Sequence, residues 1–150
     1  MLCHIGACSV ALGNMEYTIQ ADGGSRGNPG PAGAGAIVRD TKGKTVLTVS
    51  EFLGHTTNNV AEYTAILRAL EGLAEVAGAK SATVKIEMDS ELVVKQMRGE
   101  YKIKHPNLKP LATQVALLLH RFKSVTFSHI PRAKNADADA LANKAMDRGH

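Results

Sequence analysis

The period of the apolar residues changes after a long β-rich opening, and that change restricts the fold more than any single residue does. Up to Phe52 the apolar residues fall in short β-rich runs, Tyr17 to Asp22, Gly33 to Asp40 and Thr45 to Phe52. Thr41-Lys42-Gly43-Lys44 separates the second run from the third and is a hairpin signal, so three antiparallel strands in a row are expected. Then the spacing becomes helical. Tyr63, Ile66, Leu67, Leu70, Leu73, Ala74 and Ala77 recur at three- and four-residue steps, with Thr57 or Asn58 placed to cap and Gly78 to end the helix. Val84, Ile86 and Met88 alternate with Lys85 and Glu87 in a fourth strand, after which Ser90 caps a short helix through Met97. A proline-punctuated basic loop leads into a helix with Leu108, Leu111, Ala112, Val115, Leu118, Leu119 and Phe122 on one face. A fifth strand is expected from about Val125 to Ile130, ended by Pro131, and a last helix from about Ala136 to Met146. The order βββαβααβα predicts an α/β protein with a mixed sheet and helices over its faces.

One domain, over residues 16–148, is the expectation for 150 residues, and 44% hydrophobic content supplies a core for it. No apolar run approaches the roughly 20 residues of a membrane span. Residues 1–15 are mildly apolar without a basic start, a poor secretory signal, and read as a poorly ordered extension. Cys3 and Cys8 lie there with His4, too few ligands for zinc, so reduced thiols and a cytoplasmic location are expected. Nothing implies an obligate protein partner, and a monomer is expected. Charge is uneven. Lys95, Arg98, Lys102, Lys104 and Lys109 face Glu100 alone, a local net of +4 that equals the +4 of the whole chain. Either this is a solvated surface or it holds a polyanion.

Four acids stand at informative places. Asp22 sits where the first strand meets Gly23-Gly24-Ser25-Arg26-Gly27-Asn28-Pro29-Gly30, a stretch that is neither a P-loop nor a dinucleotide fingerprint. Its glycines suit a sharp turn and the close approach of a ligand. Glu62 follows Thr57-Asn58-Asn59-Val60-Ala61 and is expected in the first turn of a helix, where the dipole favours a carboxylate. Asn58 and Asn59 can cap the backbone or bond sugar and base edges. Asp89 ends the fourth strand before Ser90, and Asp139 lies in Asn135-Ala136-Asp137-Ala138-Asp139-Ala140-Leu141-Ala142. Each signal alone has an ordinary structural explanation. Brought together, the four carboxylates would repel one another unless divalent cations joined them, which points to metal-assisted phosphoryl chemistry.

In order and in company, these motifs resemble the type 1 ribonuclease H family, over about Glu16 to Asp147. The resemblance implies a ribonuclease H-like five-stranded mixed sheet, three antiparallel strands then two parallel additions, flanked by helices. It implies endonucleolytic cleavage of the RNA strand of an RNA/DNA hybrid, leaving 5′-phosphate and 3′-hydroxyl ends. Asp22, Glu62, Asp89 and Asp139 match the family's catalytic, metal-binding acids, and an all-oxygen donor set suits two Mg²⁺ or Mn²⁺ ions. Gly23, Ser25, Asn28, Thr57, Asn58 and Asn59 fall at positions that touch the hybrid, with Thr57 and Asn28 near a phosphate of the DNA strand.

The pattern also departs from relatives. Some carry a glycine-and-histidine loop after the fifth strand; this chain has the shorter Ser128-His129-Ile130-Pro131-Arg132-Ala133-Lys134-Asn135. His129 is expected on the strand as an auxiliary group at most, with Arg132 reaching a phosphate. The chain has no Trp and lacks the tryptophan-rich basic protrusion, so hybrid binding would rest on Lys95, Lys102, Lys104 and Lys109 with Tyr101 as a stacking surface. Glu91 stands two residues after Asp89, where some relatives have an amide, and an acid there could alter metal preference. Two other readings compete: a binding module that keeps the fold without turnover, and another nuclease of the same fold. Gly23-Gly24 after Asp22 argues against a proofreading exonuclease, and Asn58-Asn59 against an integrase.

Overall fold

A computed structural model of the chain describes residues 15–76 and 78–150. Residues 1–14, with Cys3, His4 and Cys8, lie outside it, as does Ala77 of the first helical pattern. Among the described residues five strands form one sheet in the order β3-β2-β1-β4-β5. They are β1 Glu16–Ser25, β2 Gly30–Asp40, β3 Thr45–Thr56, β4 Thr83–Met88 and β5 Ser124–His129. β1, β2 and β3 pair antiparallel; β4 joins β1 in parallel and β5 joins β4 in parallel. The helices are α1 Asn58–Ala74, α2 Glu91–Met97, α3 Lys109–Leu119 and α4 Ala136–Arg148. This is the mixed sheet expected.

Local chemistry accounts for the turns. Gly43 takes φ of 80° in the β2–β3 hairpin, and Asp40 Oδ1 accepts from the Lys42 and Lys44 N–H groups at 2.9 Å. Other boundaries differ from the expected ones. β1 runs on past Asp22 to Ser25 and β2 begins at Gly30, ahead of Gly33, the two staying paired as far as Ser25–Ala32. α1 ends at Ala74, earlier than Gly78, because the Glu75 and Val76 N–H groups turn back to the Gly72 and Leu73 carbonyls. Gly78, with φ of 83°, instead opens a 3₁₀ turn at Ala79–Ser81.

The two faces of the sheet are packed differently. On one, Ile19 and Ala21 of β1, with Val84 and Ile86 of β4, are buried with Ile66, Leu70 and Leu73 of α1. Val115 of α3 and the flanking Leu108 and Phe122 extend that core, while Leu111, Ala112, Leu118 and Leu119 are only partly buried. On the other face α4 lies directly on β2, and the Ala32-Gly33-Ala34-Gly35-Ala36 run explains how. Ala34 and Ala36 point into the core, so Gly33 and Gly35 point the other way. A Cβ at Gly35 would stand 2.3 Å from the Ala138 carbonyl oxygen and 2.4 Å from the Ala142 nitrogen. Both obstacles are backbone, so only movement of α4 could admit a side chain. Gly35→Val should therefore cost about 1–3 kcal/mol or more. Thermal unfolding of the variant beside the wild type checks this, and an unchanged Tm would contradict such close docking of α4.

Candidate active site: four carboxylates in one cleft

The parallel pairing of β1 with β4 stops where β4 ends, and an acid follows on each chain: Asp22 within β1, which runs on to Ser25, and Asp89 just past β4. Ala21 pairs with Met88, so Asp22 and Asp89 are the next residue on each chain. Open α/β sheets place their ligands at this edge. Asp22 is the most enclosed of the acids, at 8% exposure.

Glu62 arrives from α1. Thr57 caps that helix, its Oγ1 accepting from the Val60 N–H at 3.3 Å. The helix therefore begins at Asn58, which places Glu62 in the second turn, not in the first as expected. The dipole contribution weakens accordingly. Glu62 reaches the sheet because of Gly23. A Cβ there would lie 2.2 Å from the Ala61 carbonyl carbon and 2.4 Å from the Glu62 nitrogen. The missing side chain makes room for a helix, in addition to any ligand. Asp139 lies in the first turn of α4. The fully buried Asn135 holds that turn in place, its Nδ2 donating to the Ala21 carbonyl at 2.9 Å, beside Asp22.

Asp22, Glu62, Asp89 and Asp139 all line one cleft of about 590 Å³. Their proximity shows in their protonation. Asp22 is pushed up to about 8, chiefly by burial, then by Asp89, by a hydrogen bond and charge from Asp139, and by Glu62. Glu62 is pushed up to about 7 by burial, with the Ser90 hydroxyl pulling it down and Asp89 pushing it up. One oxygen of Glu62, Oε2, is buried with no hydrogen-bond partner among the described residues. As the side chains stand, no three described acids, histidines or cysteines gather around one point to hold an ion; the carboxylates form the walls of the cleft.

A ring of donors stands beside the acids. The Ser25 N–H and Oγ both donate to Asn58 Oδ1, at 2.7 and 3.0 Å, so Asn58 has its NH₂ left to offer. Asn28 Oδ1 accepts from the Asn58 N–H at 3.1 Å, and its own NH₂ is likewise left over. Gly23, Ser25, Asn58, Asn59 and Arg132 line the cleft; Asn28 and Thr57 fall just outside that lining, accepting from the Asn58 and Val60 N–H groups. Arg132 is 83% exposed, with Nη2 3.9 Å from Asp139 Oδ1.

Other expected residues stand apart. His129 ends β5, exposed, opposite Met88 in register and outside the cleft lining. Lys102 and Lys104 are exposed on the loop before α3, also outside it. That loop is tied to α1, because the Tyr63 hydroxyl donates to Gln96 Oε1 at 2.8 Å and Gln96 Nε2 donates to the Lys102 carbonyl at 3.4 Å. Two cations of the basic stretch have internal work: Arg98 Nε donates to the Phe127 carbonyl, and Lys95 sits 5.1 Å from the Tyr101 ring centre. The Lys95 ammonium also donates to the Tyr101 hydroxyl at 3.4 Å, and the ring stays exposed. Glu91 pairs with Lys95 at 3.8 Å and does not line the cleft. Sequence reasoning missed Arg26, Asn143 and Met146, which do line it, and saw Ser90 only as a cap. Asn143 carried a usable signal, one helical turn beyond Asp139.

Comparison with known proteins agrees with this geometry. The profile of the family described as "Reverse transcriptase-like" matches residues 20–145. A ribonuclease H of Polaromonas naphthalenivorans (strain CJ2) is 33% identical over 89% of this chain and 89% of its own length. The chain belongs to the type 1 ribonuclease H family. Within that family its fold is close to that of the LC11 ribonuclease H1 isolated from compost by a metagenomic approach. The structure of that protein in complex with an RNA/DNA hybrid has a TM-score of 0.83 and 47% identity, covering 88% of this chain and 97% of that one. A bifunctional protein of Mycobacterium tuberculosis is 46% identical over 89% of this chain, which spans only 36% of that protein's length.

Proposed function

We propose that this ribonuclease H family member is an enzyme that cuts the RNA strand of RNA/DNA hybrids endonucleolytically, leaving 5′-phosphate and 3′-hydroxyl ends. The observation that carries this reading is the meeting of four carboxylates from β1, α1, the end of β4 and α4 in one cleft, beside the amide donors of Asn58 and Asn59. The hybrid complex of the LC11 relative supports the choice of substrate.

Asp22, Glu62, Asp89 and Asp139 would hold Mg²⁺ or Mn²⁺. The donors are all oxygen, as hard cations prefer, and the unpartnered Glu62 oxygen and the protons retained near neutral pH fit a site that a cation would relieve. Two such ions, when bound, supply an activated water for attack on phosphorus and stabilise the leaving 3′-oxygen. The protein's own groups bind and orient. The NH₂ groups of Asn58 and Asn28, with Asn59 and Ser25, would meet ribose 2′-hydroxyls and the backbone of a minor groove. Gly23 and Thr57 keep these donors beside the acids, and Arg132 takes a phosphate. Lys102 and Lys104 add attraction from outside the cleft, screened by salt. His129 has an auxiliary place at the same sheet edge.

The test is a panel of labelled RNA/DNA, RNA/RNA, single-stranded RNA and DNA/DNA, each with Mg²⁺, Mn²⁺ or chelator. Only the RNA of the hybrid should be cut efficiently, and only with a divalent ion. Hybrid that is bound but left intact under both ions would favour the binding-module reading.

A further inference from the structure

We infer that Arg26 is a further phosphate contact of the substrate groove, held at the cleft by Asp147; this rests on the nucleic-acid reading above. Among the described residues lining the cleft, the cations are Arg26 and Arg132. Arg26 stands on a rigid base. Its N–H donates to the Pro31 carbonyl at 2.8 Å, and Gly30 packs so tightly on its carbonyl that a Cβ there would be 2.1 Å from the oxygen.

The side chain is aimed from the far end of the sequence. Arg26 Nη2 donates to Asp147 Oδ1 at 2.5 Å, across to the last turn of α4. Asn143 and Met146 of that same helix end line the cleft, so Asp147 holds the guanidinium beside the cleft wall. The pair is open to solvent, 47% and 70% exposed, and exposed pairs of this kind add little to stability. A guanidinium has five N–H donors, and Asp147 occupies one of its nitrogens; no other side-chain partner of Arg26 exists among the described residues. The free part of a planar fork, next to the amide donors of Asn58, is suited to two oxygens of a backbone phosphate. Asp147 is accordingly a positioning residue and Arg26 a binding residue.

The experiment measures hybrid cleavage and hybrid binding over a range of salt, for the wild type, Arg26→Ala, Arg26→Lys, Asp147→Ala and the Arg26→Ala/Asp147→Ala pair. Arg26→Ala should raise KM about tenfold, the size of one charge-assisted contact, with kcat changed by less than about twofold. The slope of log(kcat/KM) against log salt should become shallower by about 0.9, the loss of one phosphate contact. Arg26→Lys should recover the salt slope, since it keeps the charge, but only part of the KM. Asp147→Ala should raise KM in the wild type and add nothing in the Arg26→Ala background. A mere structural latch gives a different result, a lower Tm in Arg26→Ala with KM and salt slope unchanged, and that would overturn the assignment while leaving the nuclease reading intact. A wild type that neither binds nor cleaves the hybrid would overturn both.

Discussion

Asp22→Asn should lower hybrid cleavage by about a thousandfold or more while hybrid binding is kept or tightened. Asp22 is 8% exposed at the centre of the set, and each of the other three acids acts on its protonation. The amide has the same shape, so folding should survive, but it removes a charge that the proposed cations require. Losing several kcal/mol of charge stabilisation in the transition state corresponds to that factor in rate. Binding responds in the opposite direction, because the phosphates of a hybrid approach the cleft more easily when one anion is gone. Single-turnover cleavage, with Kd from a direct hybrid titration, separates the two effects. Turnover equal to the wild type would refute the role assigned to Asp22.

Without divalent ions, the protein should lose stability as pH rises from about 4 to about 8. The sign follows from the raised carboxyls. Asp22 moves from 3.8 to about 8 and Glu62 from 4.5 to about 7 on folding, so across this window the folded chain binds more protons than the unfolded one. Stability must then fall with increasing pH, the reverse of the usual salt-bridged carboxylate. The total should be on the order of a few kcal/mol. Asp22→Asn should be more stable than the wild type at pH 8 and should flatten the curve. Mg²⁺ or Mn²⁺ should restore the wild type more at pH 8 than at pH 5, since binding displaces protons. Thermal melts of both proteins at the two pH values, with chelator and with ion, decide it. A wild type in chelator that is equally stable at pH 5 and pH 8 would contradict the raised carboxyls of the cleft.

The order of the elements was legible because it is written in local period, as in the switch from Thr45–Phe52 to Tyr63–Ala74. The ends were less legible. β1 is extended from Gly23 to Ser25 by backbone pairing with β2, through residues that carry no apolar pattern of their own. The helix stop at Ala74 is made by backbone hydrogen bonds that no glycine announces. Among the acids, chain position and neighbouring motifs were enough to nominate all four. The reasons they meet lie in long-range contacts. Gly23 against Ala61 and Asn135 against Ala21 each join segments far apart in sequence. The basic stretch was visible as charge, yet its division into tied residues (Lys95, Arg98) and exposed ones (Lys102, Lys104) depends on partners such as Phe127. Arg26 escaped notice for the same reason, since its partner Asp147 is at the other end of the chain.

The most direct measurement is an anomalous difference map from crystals of the wild type grown with Mn²⁺ and a short RNA/DNA hybrid. Strong peaks within the cleft, coordinated by Asp22 and by oxygens from Glu62, Asp89 or Asp139, are the predicted result. Well-occupied manganese elsewhere on the protein, with hybrid bound and no peak beside Asp22, would contradict a catalytic site assembled from these four carboxylates.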